Sequence, residues 1–388
     1  MRSKRYIPRR YQLTKHAIAV VKSGHPWVFR SKISSAAEAF PDGQWLQLVD
    51  GQNHPVGFGV FHAEGLIGVR AFSKGNAEPN LQWWKHRLQN VLAKRENLRN
   101  FTDSFRAVNG DNDKIPGVVI DVYGGKYAVL QTYADGVDGF GRYVAQVVAK
   151  ELGIDNILWK IPTRRRNTKG KGSRTLRGEV PTAPIPLREG KVTYFAELSG
   201  QKSGTFLDLR GLRKWVSSQK WQGKRVLNLF SYTATLGYAA ELAGASEVWN
   251  VDTSKGALDF GQKYHSKKKR CQKYIVADIF QWINELSMDE RFDVIICDPP
   301  SMASDSSQVG KALKVYRSIY RELCRHLKPK GILIGCCCTS RISREQFRRE
   351  MDGSFGGRLK FEKTLPPEDD HPVGFPEGDY LKVNIYRS

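Results

Sequence analysis

Between Arg225 and Cys338 one hydrophobic pattern recurs: a short apolar run, rich in β-branched residues, closes on a polar or chemically reactive residue. The runs are Arg225–Phe230, Glu247–Asp252, Lys273–Asp278, Phe292–Asp298 and Gly331–Cys338, with intervals long enough for helices between them. Near-continuous apolar strands alternating with helices predict an α/β doubly wound (Rossmann-like) parallel sheet, buried on both faces. Such sheets bind ligands at the carboxyl ends of their strands. Asp252, Asp278, Asp298 and Cys338 are therefore expected around one crevice.

Upstream the pattern differs. Ala17–Val21, Trp45–Val49, Val56–Phe61 and Leu66–Ala71 are short runs with Gly and Pro between them, which predicts strands of a small β-barrel. From Trp83 to Arg99 the spacing turns helical, with Trp84, Leu88, Val91, Leu92 and Arg95 near one face. Val118–Asp121 and Tyr127–Tyr133 read as a hairpin around Gly124-Gly125, and Phe140–Leu152 as a helix stopped by Gly153. This stretch is an α+β unit. Lys191–Glu197 reads as a strand that leads into the Gly-rich turn over 200–210.

Charge adds a partner. The 388 residues hold 62 Lys and Arg against 39 Asp and Glu, a formal charge of +23. A field of that size favours a polyanion. Nucleic acid is the first candidate and an anionic membrane surface the second. The second recedes because no apolar run approaches a spanning length. The N-terminus also lacks the apolar core of a signal peptide, so the expected location is the cytosol. Six cysteines without disulfide-framework spacing agree with that. Two acid-free stretches concentrate the charge: residues 1–37, and Lys160–Arg177 with Arg164, Arg165, Arg166, Lys169 and Lys171. Each is either a solvated segment or a phosphate contact, and for the second a clamp on RNA backbone is the preferred reading. The oligomeric state stays open, with a homodimer as one option.

Candidate chemistry gathers in the C-terminal half. Asp208 and Arg210 follow a Gly-rich turn and suit a lip over a ligand, the Asp holding an ammonium and the Arg a carboxylate; equally, they suit a pair with each other. Asn228, Phe230, Ser231 and Tyr232 lead from the first central strand into a helix, where free N–H groups seat anions. The segment lacks the GxGxxG form of a dinucleotide site, and nothing Walker-like is present. Asp252 is placed to accept from ribose hydroxyls or to cap the next helix, and Asp278 to face the adenine side of a nucleoside. S-adenosylmethionine fits a pocket that is acidic and phosphate-free.

Several motifs carry a family resemblance. His25-Pro26-Trp27-Val28-Phe29, Gly57-Phe58-Gly59 and Ile67-Gly68-Val69-Arg70 resemble a PUA-type RNA-binding domain. Asn228–Thr233, Val251–Leu258 and Asp298–Ser301 resemble class I methyltransferase motifs. With Gly204–Arg210 before this core, and Asp370–Val373 and Phe375–Lys382 after it, nearly the whole chain resembles the large-subunit (23S) ribosomal RNA cytosine-5 methyltransferases that carry an N-terminal PUA domain. The basic Lys160–Arg177 insert fits least. The resemblance implies a multidomain chain: a PUA-like barrel over 1–75, an α+β connecting domain over 76–188 with a basic loop at 160–178, and a methyltransferase domain over 189–388. Ala234 stands where the family usually has Gly, which would strain the loop if the position needs positive φ.

Cytosine carbon 5 needs activation before it can take a methyl group. A thiolate adding to carbon 6 supplies it, and the carbon 5 proton must leave before the sulfur is expelled. Cys336, Cys337 and Cys338 are consecutive; alternation along a strand puts Cys336 and Cys338 on one face. By resemblance Cys338 matches the nucleophile, Cys336 is the fallback, and three buried hydrophobes are the plain alternative. Adjacent cysteines give no zinc spacing. Asp298 is the candidate to bond the cytosine edge. His371 is expected to be structural. The rival readings are a guanine or adenine N-methyltransferase on the same fold, and a non-catalytic RNA-binding assembly factor.

Overall fold

A computed structural model of the protein describes residues 9–33, 40–161, 173–198, 205–267, 270–303 and 305–388. Arg164, Arg165, Arg166, Lys169 and Lys171 lie outside the described residues. The chain divides into two compact units: Met1–Lys191 with Asp369–Phe375, and Val192–Glu368 with Pro376–Ser388.

The first unit opens with β1 (Arg9–Gln12), α1 (Lys15–Ser23), β2 (Trp27–Phe29), β3 (Trp45–Val49), β4 (Pro55–Phe61) and β5 (Ile67–Lys74), whose strands pair in the order β1-β3-β4-β5-β2. The run predicted as a strand at Ala17–Val21 is α1 instead. The bracketing residues decide this: the Thr14 side chain accepts from Ala17 N at one end. At the other, Gly24 at φ 89° turns its N–H onto Val20 and Val21. Within α1 Ala17 and Val21 are buried while Ala19 between them is exposed, which fits the helical repeat and not the strand repeat of two.

Next come α2 (Leu81–Ala93), α3 (Glu96–Phe101), β6 (Phe105–Asn109), β7 (Val118–Tyr123), β8 (Tyr127–Thr132), α4 (Asp138–Leu152), β9 (Asn156–Lys160), β10 (Ser173–Arg177) and β11 (Ile185–Glu189). The predicted helix over 83–99 is broken at Lys94-Arg95. Arg95 is fully buried, donating to Asp113 at 2.6 Å and to Val91 O at 3.1 Å, and its turn inward ends α2. Gly124 and Gly125, both at positive φ, close the β7–β8 hairpin, and Gly153 at φ 68° stops α4, as the sequence predicts. The segment 369–375 packs within this unit. Asp370 accepts from Arg106 N at 2.8 Å and pairs with His371 at 2.9 Å, and Phe375 meets Trp27 at 4.7 Å between ring centroids.

The second unit runs β12 (Val192–Ala196), α5 (Arg210–Ser218), β13 (Arg225–Leu229), α6 (Thr235–Leu242), β14 (Glu247–Asp252), α7 (Lys255–Tyr264), β15 (Gln272–Val276), α8 (Ile279–Glu285), β16 (Phe292–Cys297), α9 (Val309–Arg325), β17 (Leu327–Cys337), α10 (Arg344–Phe355), β18 (Lys360–Leu365) and β19 (Lys382–Arg387). The seven-stranded sheet has the order β15-β14-β13-β16-β17-β19-β18. The first five strands are parallel, as the repeated pattern predicts, and β19 and β18 join antiparallel. Apolar clusters cover both faces. Chain order reverses between β13 and β16, the kind of switch point at which such sheets bind ligands.

Candidate active site

The turn after β13 carries the most strained backbone in this unit. Phe230, Tyr232 and Ala234 lie at φ 56°, 48° and 58°, a region that costs a residue with a side chain about 1–2 kcal/mol. Strain clustered on alternate residues of one loop points to a functional loop. Its bonds hold it in place: Ser231 N donates to Val251 O at 3.1 Å, and Tyr232 N to Asp252 Oδ2 at 2.8 Å. Asp252 also accepts from Ser254 N at 2.8 Å, while the Ser254 side chain caps α7. Asp252 thus ties the loop to the following turn and keeps further lone pairs for a ligand.

Ala234 keeps positive φ, at 58°, where the resembled family usually has Gly. It is fully buried, and α7 approaches it at Gly261, where an added Cβ would meet Thr233 O at 2.9 Å and Ala234 Cβ at 3.1 Å. Gly261→Ala should therefore push the loop out of place. The expected cost is about 1–3 kcal/mol in urea unfolding, with weaker S-adenosylmethionine affinity by calorimetry.

His265 braces the same loop from behind. Its Nε2 accepts from Phe195 N of β12 at 2.9 Å, so Nδ1 carries the proton and donates to Thr233 O at 2.7 Å. Burial lowers its pKa to about 4. The folded protein holds this ring neutral where an unfolded chain, near 6.5, takes up a proton. Stability should fall as pH drops through the window from about 6.5 to 4, by about 3 kcal/mol in all from this group. Urea midpoints at pH 7 and pH 5, compared with those of His265→Gln, measure it; the variant should lose that part of the slope.

Below the loop a buried polar ladder crosses three strands. Asn228 Nδ2 donates to Asn250 Oδ1 at 2.9 Å, Asn250 Nδ2 to Gln272 Oε1 at 2.8 Å, and Gln272 Nε2 to Glu241 at 2.5 Å. Asn228 Oδ1 and Ser231 Oγ are buried and have no hydrogen-bond partner among the described residues. Two unsatisfied polar atoms at the carboxyl end of β13 fit a polar ligand there. Phe230 packs on Phe280 of α8, centroids 5.5 Å apart, and Asp278 caps α8 through Phe280 N at 2.9 Å.

Across the switch point stands Asp298, whose N–H meets Leu229 O at 3.4 Å. Burial first, and then the Asp208 charge, push its carboxyl up to about 7. Asp208 accepts from Tyr380 O–H at 2.6 Å, whereas Arg210, 1% exposed, pairs with Glu368 at 3.0 Å. Cys336 and Cys337 are buried in opposite core layers, and Cys338, just past β17, is half-buried. The Cys338 thiol donates to Pro299 O at 3.3 Å, which puts the sulfur beside the residue that follows Asp298. Burial, with the Asp298 charge next, holds the thiol well above the ordinary range. Thr339 Oγ1 accepts from Met302 N at 3.1 Å and so locks the Asp298–Ser301 turn to this strand end.

Some neighbours gave little sequence signal. Lys382 is 1% exposed and donates to Thr339 O at 2.9 Å and Tyr380 O at 3.3 Å. Lys382 and Tyr380 lie in a quoted motif, but their positions depend on β19 returning beside β17. Phe280 and His265 carried no motif at all. Among the described residues no helix is long and apolar enough to cross a membrane, and no group of side chains could hold a metal ion.

Known proteins resemble both parts of the chain. Residues 181–380 match the S-adenosylmethionine-dependent methyltransferase family, and residues 12–74 match a PUA-like domain. Ribosomal RNA large subunit methyltransferase I of Enterobacter sp. (strain 638) is 29% identical over 393 residues, covering 96% of this chain and 98% of that protein. The ribosomal RNA large subunit methyltransferase of Deinococcus radiodurans is 27% identical, covering 96% of each. The crystal structure of SMU.776, described as a candidate methyltransferase complexed with SAH, superposes with a TM-score of 0.86 at 23% identity. That match covers 98% of this chain and all of the other, and shows a shared fold.

Proposed function

Because the chain belongs to the S-adenosylmethionine-dependent methyltransferase family, we propose that it methylates carbon 5 of a cytosine in large-subunit ribosomal RNA, with Cys338 as nucleophile. The names of its relatives support the RNA class, and so does a net charge of +23. The observation that carries the reaction type is the half-buried Cys338 thiol on Pro299 O, next to a carboxyl pushed up to about 7. Base N-methylation has no use for a thiol at that place.

The residues fit the methyl donor. The Phe230–Ala234 loop, the unsatisfied Asn228 Oδ1 and Ser231 Oγ, Asp252 and the Phe230–Phe280 pair would hold its nucleoside and amino-acid parts. When bound, S-adenosylmethionine supplies a methyl group made electrophilic by its sulfonium. Asp208 and Arg210 would close the site from the other side, Arg210 acting from its buried pair with Glu368. The Cys338 sulfur adds to carbon 6 of the flipped base as its thiol proton passes to the Asp298 carboxylate. Asp298, protonated over much of the range below 7, donates to the cytosine edge and stabilises the electron-rich ring. Carbon 5 of the adduct would then take the methyl group, lose its proton to solvent, and regain its double bond to carbon 6 as sulfur is expelled.

Purified protein, S-adenosylmethionine and unmodified large-subunit ribosomal RNA should yield 5-methylcytidine by nucleoside mass spectrometry. An N-methylated purine would replace this reading with its rival on the same fold. RNA binding without donor binding would make the protein an assembly factor.

A further inference from the structure

We propose that Lys74, Arg87 and Lys114, in the first unit, form a binding site for a backbone phosphate of the RNA. The proposal rests on the reading of the substrate as RNA and extends it to a place no motif marks. All three cations line a cavity of about 210 Å3, and Arg87 and Lys114 also line a neighbouring one of about 370 Å3. Each is held by a backbone carbonyl and not by a carboxylate. Lys74 Nζ donates to Lys22 O at 2.8 Å, Arg87 Nη1 to Phe72 O at 3.1 Å, and Lys114 Nζ to Gly24 O. Among the described residues none of the three makes an ion pair.

The nearby carboxylates are committed elsewhere. Asp111 takes Arg70 and, at 2.8 Å, the Trp27 indole N–H; Asp113 takes Arg95 at 2.6 Å. The cations therefore face one another. Lys114 is pushed below the ordinary lysine range by burial, then by Lys74 and Arg87, with Asp111 opposing. An anion between them relieves that repulsion. Its geometry is also prepared: the Arg87 guanidinium lies 4.1 Å over the Trp83 ring, which fixes its plane and leaves N–H groups at its edge. Lys114 sits at φ 62°, an uncommon conformation for lysine that fixes where its stem departs. Two lysines and a planar arginine fork suit the several oxygens of a phosphodiester better than a single carboxylate.

The test uses the full chain carrying Lys74→Gln and Lys114→Asn together, Asn being chosen because it tolerates the left-handed conformation. Affinity for deproteinised large-subunit ribosomal RNA is measured from 50 to 200 mM KCl, and S-adenosylmethionine affinity serves as the check on folding. The expected result is roughly tenfold weaker RNA binding at the lower salt, with the slope of log K against log salt shallower by about 0.7–0.9, the loss of one phosphate contact. Unchanged affinity and slope in a variant that still binds the methyl donor would overturn the site alone. Wild-type protein without salt-dependent RNA affinity would overturn the RNA reading itself. Polyglutamate binding lost in the variant while RNA binding persists would assign the cluster to an acidic polypeptide and overturn the proposal.

Discussion

Cys338→Ala should abolish methyl transfer, by roughly 10^4-fold or more in kcat, while leaving S-adenosylmethionine affinity within about twofold. The size follows from what the sulfur does: without a bond at carbon 6, carbon 5 has no route to nucleophilicity, and no neighbouring group replaces a covalent step. The donor should still bind, because the loop, Asp252 and the aromatic pair lie on β13, β14 and α8 rather than on β17. Serine is a poor substitute, so Cys338→Ser should be nearly as inactive. RNA carrying 5-fluorocytosine supplies an independent readout. With fluorine at carbon 5 there is no proton to lose, and a stable protein–RNA adduct should form with the wild type and not with Cys338→Ala. If Cys336→Ala, and not Cys338→Ala, prevents the adduct, the nucleophile moves two residues back to a fully buried thiol.

Asp298→Asn should make the protein more stable and less active at once. A carboxyl raised from 3.8 to about 7 binds a proton in the fold that the unfolded chain has released. Its contribution is fully present below pH 3.8 and is lost as pH rises through 7. By pH 8 the ionised group, half-buried beside Asp208, costs the wild type up to about 4 kcal/mol, a cost that Asn avoids. Urea midpoints should thus favour the variant at pH 8 and converge near pH 4. Activity should fall about 10^2–10^4-fold, because an amide bonds the base edge but cannot adjust its proton as the ring gains charge. A variant equal to the wild type in both respects would remove Asp298 from the reaction and its burial from the ledger.

The doubly wound sheet was readable because β-branched runs are long enough to specify strands alone, and because Asp252 and Asp298 end two of them. Elsewhere the local pattern was outvoted. Ile18, Val20 and Val21 favour a strand, but Thr14 and Gly24 bracket a helix, and caps outweigh propensity over nine residues. Arg95 fitted a continuous helical face, and only its distant partner Asp113 explains the break. The partners of the site residues were hidden for the same reason. Glu368 lies 158 residues from Arg210, and Tyr380 lies 172 from Asp208, so neither pairing leaves a local trace. Asp278 and Asp252 each accept from a backbone amide in the fold, and the strand-end pattern carried no sign of those bonds.

The amide ladder under the cofactor loop has a consequence for how the chain finds its fold. Asn228 and Asn250 are opposite partners in the β13–β14 pairing, and every link from there to Glu241 is made between buried side chains. Sliding either strand by one residue would turn these amides toward apolar neighbours, at about 1–3 kcal/mol for each group left unmatched. Flat parallel strands of valine and leucine tolerate such slips poorly policed; here the asparagines act as a vernier. Mispaired sheets are penalised as the sheet forms, so the register that sets the strand ends Asp252 and Asp298 on either side of β13 is fixed by the amides beneath them.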